Sequence, residues 1–94
     1  VIKMRWLKKR EVVIYYLLEK KFGVNEFNLG EAIDYLSPYF SKKVTINVIR
    51  YFYKTGILVK TGELRYRVIP WEEYMLDVSF KYLRRRATLR RKIR

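Results

Sequence analysis

Apolar positions recur along this chain in two different periods, and the change of period divides it into elements. Val44, Val48 and Phe52 follow one another at i, i+4 and i+8 with Thr45 and Ile49 beside them, which predicts a helix burying one stripe. Lys43, Asn47, Arg50 and Lys54 fall on the opposite face. Ser41 has the chemistry of an N-cap, because its hydroxyl can accept from a free amide of the first turn. Gly56 suits the position after the helix, where a left-handed backbone carries no Cβ penalty. Beyond it the period shortens to two. Ile57-Leu58-Val59 opens an apolar run, and Leu64, Tyr66 and Val68 alternate with Arg65 and Arg67, which predicts two strands. Thr61-Gly62 between them predicts a tight turn with glycine at positive φ.

The flanking segments read as helices. Val1 to Phe22 is predicted to form the first, with Leu7, Ile14, Leu18 and Phe22 near one face, Trp6, Val13 and Leu17 alongside, and Gly23 as its stop. Lys8, Lys9 and Arg10 lie on the other side. Ile2 to Trp6 has an alternative reading as an extended arm carrying Lys3 and Arg5, although a loose terminus explains those residues as well. Val24 to Phe27 is a connector with room for a short strand. Asn28 and Glu31 have the spacing of a capping box, which starts a helix over Leu29 to Leu36 and puts Phe27 in place to staple against Ala32. Ser37-Pro38 ends that helix, since the residue before proline is steered away from the α region. Tyr39 and Phe40 are expected to plug the core. From Trp71 to about Arg86 or beyond a last helix is predicted with two apolar rows. One is Trp71, Met75, Val78 and Tyr82; the other is Leu76, Phe80, Leu83 and Ala87, spaced like a coiled-coil seam.

The order helix, glycine, strand, tight turn, basic strand resembles the winged helix-turn-helix, over roughly Asn28 to Ile69. Phe52 and Ile49 stand four and seven residues before the glycine, at the family's usual core positions, and Ile57-Leu58-Val59 matches the apolar start of its wing. The resemblance implies a mainly α (α+β) fold with a two-stranded wing and a C-terminal dimerisation helix, as in PadR-like regulators and small winged-helix proteins of archaeal plasmids. It implies that Lys42, Lys43, Ile46, Asn47 and Arg50 face the groove of double-stranded DNA. Asn pairs with adenine and Arg with guanine in bidentate geometry, whereas Lys42 and Lys43 suit phosphates. Lys60, Arg65 and Arg67 of the wing would meet the backbone or minor groove. A solvated basic strand edge is the plainer account of those three. Leu76, Phe80, Leu83 and Ala87 would form a homodimer interface.

Composition narrows the partner. The 94 residues suffice for one domain, divided as a winged-helix domain over 1–86 and a basic tail over 87–94. The formal charge is +13, and Lys81 to Arg94 contributes eight basic residues without an acid. Arg84, Arg85, Arg86, Arg90 and Arg91 are therefore candidates for sequence-independent phosphate contacts. An acidic protein surface is the competing target. No apolar run approaches the ~20 residues that span a bilayer, so no membrane partner is expected. The sequence holds no Cys, His or Gln. That leaves no thiolate and no zinc-type ligand set, and no cofactor or metal is expected. Glu31 and Asp34 read as a cap and a solvated charge rather than an acid–base pair, and no nucleophile accompanies them, so no catalytic residue is assigned. Abundant Lys, Arg, Glu, Tyr and Ile point to a hyperthermophilic, archaeal source. The expectation is a cytoplasmic, nucleoid-associated dimer binding double-stranded DNA as a transcriptional regulator. The alternatives are a DNA-coating or partition protein and a protein-interaction or replication accessory subunit.

Overall fold

A computed structural model describes residues 6–93 as four helices and three short strands. In chain order these are α1 (Lys9–Phe22), β1 (Phe27–Asn28), α2 (Leu29–Leu36), α3 (Lys42–Thr55), β2 (Leu58–Gly62), β3 (Arg65–Val68) and α4 (Trp71–Ile93). The fold is mainly helical with one antiparallel sheet, ordered β1-β3-β2. The hairpin is joined by the short strand for which the connector before α2 had room: Phe27 and Asn28 pair with Tyr66 and Arg65 of β3. Two residues are too few to show alternation, so only the pairing reveals them as a strand.

α1 is shorter than its apolar pattern suggested. Trp6 to Lys8 are not helical, and the Lys8 amide donates to the Glu11 carboxylate at 2.8 Å, which fixes the first turn. The Lys3 and Arg5 arm lies outside the described residues. Ile14, Leu18 and Phe22 are buried as expected, but their neighbour in the core is Tyr15, and Val13 is exposed. Gly23 ends the helix at φ 57°, with its amide donating to the Glu19 carbonyl.

The start signals of α2 and α3 and the stop signal of α3 operate as read. Glu31 N–H donates to Asn28 Oδ1 at 2.8 Å and Asn28 N–H returns to Glu31 Oε1 at 3.2 Å. Ser41 Oγ accepts from Val44 N–H, and Gly56 takes φ 85°. α2 ends for a different reason from the one expected. Ser37 keeps helical angles; what stops the helix is that Pro38 has no N–H for the Asp34 carbonyl. Ser37 supplies that carbonyl instead, through its amide and its hydroxyl. Phe40 then packs on the core as expected, while Tyr39 is 73% exposed and plugs nothing.

The hairpin also departs from its prediction. β2 continues through Gly62, and the turn falls on Glu63-Leu64. Leu64, not Gly62, holds positive φ, at 57°. A non-glycine residue there is uncommon. Its carbonyl accepts from Leu29 N–H at 2.9 Å, so the turn is tied to the first turn of α2. Leu64 thus leaves the apolar face of β3 and is exposed, whereas Tyr66 and Val68 are buried.

The core gathers Ile14, Leu18 and Phe22 of α1, Phe27, Leu36 of α2, Val48, Ile49 and Phe52 of α3, and Leu58, Tyr66 and Val68 of the sheet. Phe22 and Phe27 stack at 4.5 Å. α4 attaches to this body at its start. Tyr15 donates its hydroxyl proton to the Ile69 carbonyl, and its ring meets Trp71 at 5.2 Å and Tyr74 at 5.9 Å. Glu19 accepts from the Trp71 amide, one of the free donors of the first turn of α4. From there α4 runs for 23 residues, about 35 Å, giving the molecule a long axis of 54 Å against 24 and 22 Å. The segment 87–93, expected as a separate tail, continues this helix.

Candidate nucleic-acid interface

α3 presents its polar side to solvent because its other side is committed. Thr45, Val48, Ile49 and Phe52 are buried, and Val44 is half-buried against the same cluster. A helix rotated by that constraint must expose Lys42, Lys43, Asn47, Arg50 and Lys54, and all five are exposed. Ile46, between Lys42 and Arg50 on the flank, is half-buried. α3 has no acidic residue, and its cations enter no ion pair among the described residues. The result is one continuous basic strip along a helix of 14 residues.

Tyr53 belongs to the same exposed side and was not among the expected residues. It is half-exposed, three positions after Arg50, and its ring lies 6.3 Å from that of Tyr66 on β3. That contact joins the flank of the basic strip to the hairpin. Tyr39, exposed in the turn before α3, is a second aromatic near the strip's start. Position 53 was legible in the helical spacing with Arg50; position 39 was not, because an aromatic beside proline reads equally well as core.

The hairpin cations do not form one group. Lys60 pairs with Tyr66 and Val59 with Arg67. Paired residues project to the same side of a sheet, so Lys60 shares the face of Tyr66 while Arg65 and Arg67 occupy the other. An irregularity between Lys60 and Gly62 adds a residue on β2 and breaks the simple alternation there. Arg65 is already engaged: its Nε lies 3.1 Å from Glu26 Oε1, which also accepts from Thr61 Oγ1 at 2.7 Å. Hydrogen bonds from Thr61 and then Arg65 hold the Glu26 carboxyl below its ordinary pKa. Lys60 and Arg67 are exposed and make no ion pair among the described residues.

Arg84, Arg85 and Arg86 lie on α4, away from this strip along the sequence, and successive residues there point about 100° apart. All three are exposed. Arg86 sits over the Tyr82 ring at 5.9 Å, and Arg85 borders a groove lined by Trp6, Leu7, Val12 and the row Trp71, Met75, Val78 and Tyr82. Arg90 and Arg91 fall on the last turns of the helix. The other expected row remains open: Leu76, Phe80 and Leu83 are 71%, 63% and 63% exposed, and Ala87 is exposed beside them.

Among the described residues, no group of three acidic, His or Cys side chains is placed to hold a metal ion. No described helix is long and apolar enough to cross a membrane. No family model and no curated protein matches this sequence, and no solved structure matches the chain.

Proposed function

We propose that this chain is a dimeric winged-helix protein that binds double-stranded DNA, with α3 in the major groove and the β2–β3 hairpin as its wing. The observation that carries this reading is the exposed strip of Lys42, Lys43, Asn47, Arg50 and Lys54, without an ion pair among the described residues, opposite the buried Thr45, Val48, Ile49 and Phe52. A major groove about 12 Å wide admits a helix of this kind, and Asn47 and Arg50 have the donors and acceptors that read base edges. Lys42 and Lys43 sit near the helix start, where they suit phosphates, and Lys60 and Arg67 are the hairpin cations free to brace the flank. The open row Leu76, Phe80, Leu83 and Ala87 supports the dimer. A dimer of such modules reads two half-sites about one helical turn apart, which suits a transcriptional regulator acting at the nucleoid.

A second reading, a protein that coats DNA, is favoured by the basic half of α4, whose run of cations suits sequence-independent phosphate contacts. Selection of bound fragments from sheared source DNA, followed by footprinting, tests both. A single enriched near-palindrome with a bounded footprint is the expected result. A footprint that grows from one site as protein is added would favour coating. Failure to bind any duplex at moderate salt would overturn the DNA reading and turn attention to an acidic protein.

A further inference from the structure

The charges of α4 are sorted along its length. Trp71 to Asp77 contains three acids and no base, whereas Lys81 to Lys92 contains seven bases and no acid. Its open row, Leu76, Phe80, Leu83 and Ala87, spans the junction between those halves. Beside the acidic half, α4 and the end of α3 border a cleft of about 600 Å³, lined by Gly56, Ile69, Glu73, Leu76, Phe80 and the ion pair of Asp77 with Lys81, 3.1 Å apart. The C-terminal carbonyls of α3 end at this cleft, and a helix C-terminus carries partial negative charge. An apolar floor with Glu73 and the end of α3 at its rim, and Asp77 shared with Lys81, fits a basic amphipathic helix, and the chain has one in the second half of α4.

We propose that the second copy's α4 lies antiparallel on this row, with its basic half beside the cleft and its acidic half returned to the basic half of the first. The inference rests on the dimeric reading above and adds orientation and register. Setting Leu76 opposite Ala87 and Phe80 opposite Leu83 brings apolar residues together in successive layers. Asp77 and Arg84 flank the row on one side, and Glu72 and Arg86 on the other. Antiparallel pairing brings like flanks together, so Asp77 meets the second copy's Arg84. Parallel pairing would instead set Glu72 against Asp77 and Arg86 against Arg91, acid on acid and base on base. Opposed helix dipoles favour the same choice. In this arrangement Arg84 serves the dimer before it serves DNA.

The chain has no cysteine, so single thiols report geometry cleanly. Leu76→Cys and Ala87→Cys chains, mixed without DNA and treated with a short bismaleimide, should give a crosslink between positions 76 and 87 and little product from either chain alone. Crosslinks joining 76 to 76 and 87 to 87 would overturn the orientation while the dimer stood. No crosslink, with a monomer by sedimentation of the unmodified protein, would overturn the dimer itself. As an independent check, Asp77→Arg should weaken dimerisation on the order of tenfold, and adding Arg84→Asp should restore it. An unchanged dimer in D77R, or no recovery in the double variant, would overturn the proposed pairing.

Discussion

α3 and α4 are both basic amphipathic helices, yet the molecule treats them differently. α3 is held on its apolar side by α1, α2 and the sheet, and four of its residues are buried. α4 is held near its start, through Tyr15, Glu19 and Ile69, while Leu76, Phe80, Tyr82, Leu83 and Leu89 stay at least half-exposed. A similar arrangement of residue types therefore gives a fixed basic strip in one place and an open apolar row in the other. Burial on one side decides which face a helix presents. Where that burial is incomplete, the apolar face is itself the surface awaiting occupancy.

Paired truncations test this contrast most severely. Phe52→Ala should destabilise the fold by about 3–5 kcal/mol, because Phe52 is fully buried and its removal leaves a cavity. Phe80→Ala should leave the unfolding of a dilute monomer nearly unchanged and lower association instead. Denaturant melts at several concentrations separate the two, and similar losses for both in dilute protein would mean that α4 belongs to the core.

Next in size is Arg50→Ala. It should weaken binding to the selected DNA site by ~1–3 kcal/mol and random duplex much less. Equal losses on both would reduce Arg50 to a backbone contact and make the α3 strip no more specific than the α4 arginines.

Thr45→Val should be smaller and of opposite sign. The Thr45 hydroxyl is buried among apolar side chains and has no hydrogen-bond partner among the described residues. Replacing it with a methyl should stabilise the protein by about 1 kcal/mol, read as a higher denaturation midpoint. A loss of stability would mean that the hydroxyl has a partner in solution.

The last test concerns the joint between body and α4, and it is silent at neutral pH. Burial, and then the Glu19 carboxylate, push the Tyr15 phenol above its ordinary value of 10.0. The stability from the neutral phenol is therefore complete below about pH 10 and lost as the pH rises toward the raised folded value. Trp71 fluorescence in a Trp6→Phe background should report loosening of α4 in that alkaline range, and Tyr15→Phe should abolish the dependence. A transition unaltered by Tyr15→Phe would assign it to another group.

The legible parts of the fold were those governed by near neighbours in sequence. Asn28 with Glu31, Ser41 with Val44, and Gly56 after Thr55 are contacts within one turn, so spacing alone located the bounds of α2 and α3. The basic strip of α3 was legible for the same reason, since a buried stripe at helical period dictates its opposite face. Tyr15 was missed because its place depends on Ile69, Trp71 and Tyr74, more than fifty residues away. The turn at Leu64 was misplaced because glycine marked the cheapest site for positive φ. The hydrogen bond from Leu29 instead holds a leucine there.

By itself, then, the sequence determined the helices that carry their own caps, the face that α3 offers to solvent, and the charge that favours a polyanion. These follow from local hydrogen bonds, helical periodicity and composition. Tertiary structure alone decided that the connector's short strand falls on Phe27 and Asn28, that Lys60 parts from Arg65 and Arg67, that Glu26 engages Arg65, and that α4 stays open along Leu76, Phe80 and Leu83. Each of these depends on pairing or packing between distant segments, where strand parity and residual exposure are fixed only once the chain has closed on itself.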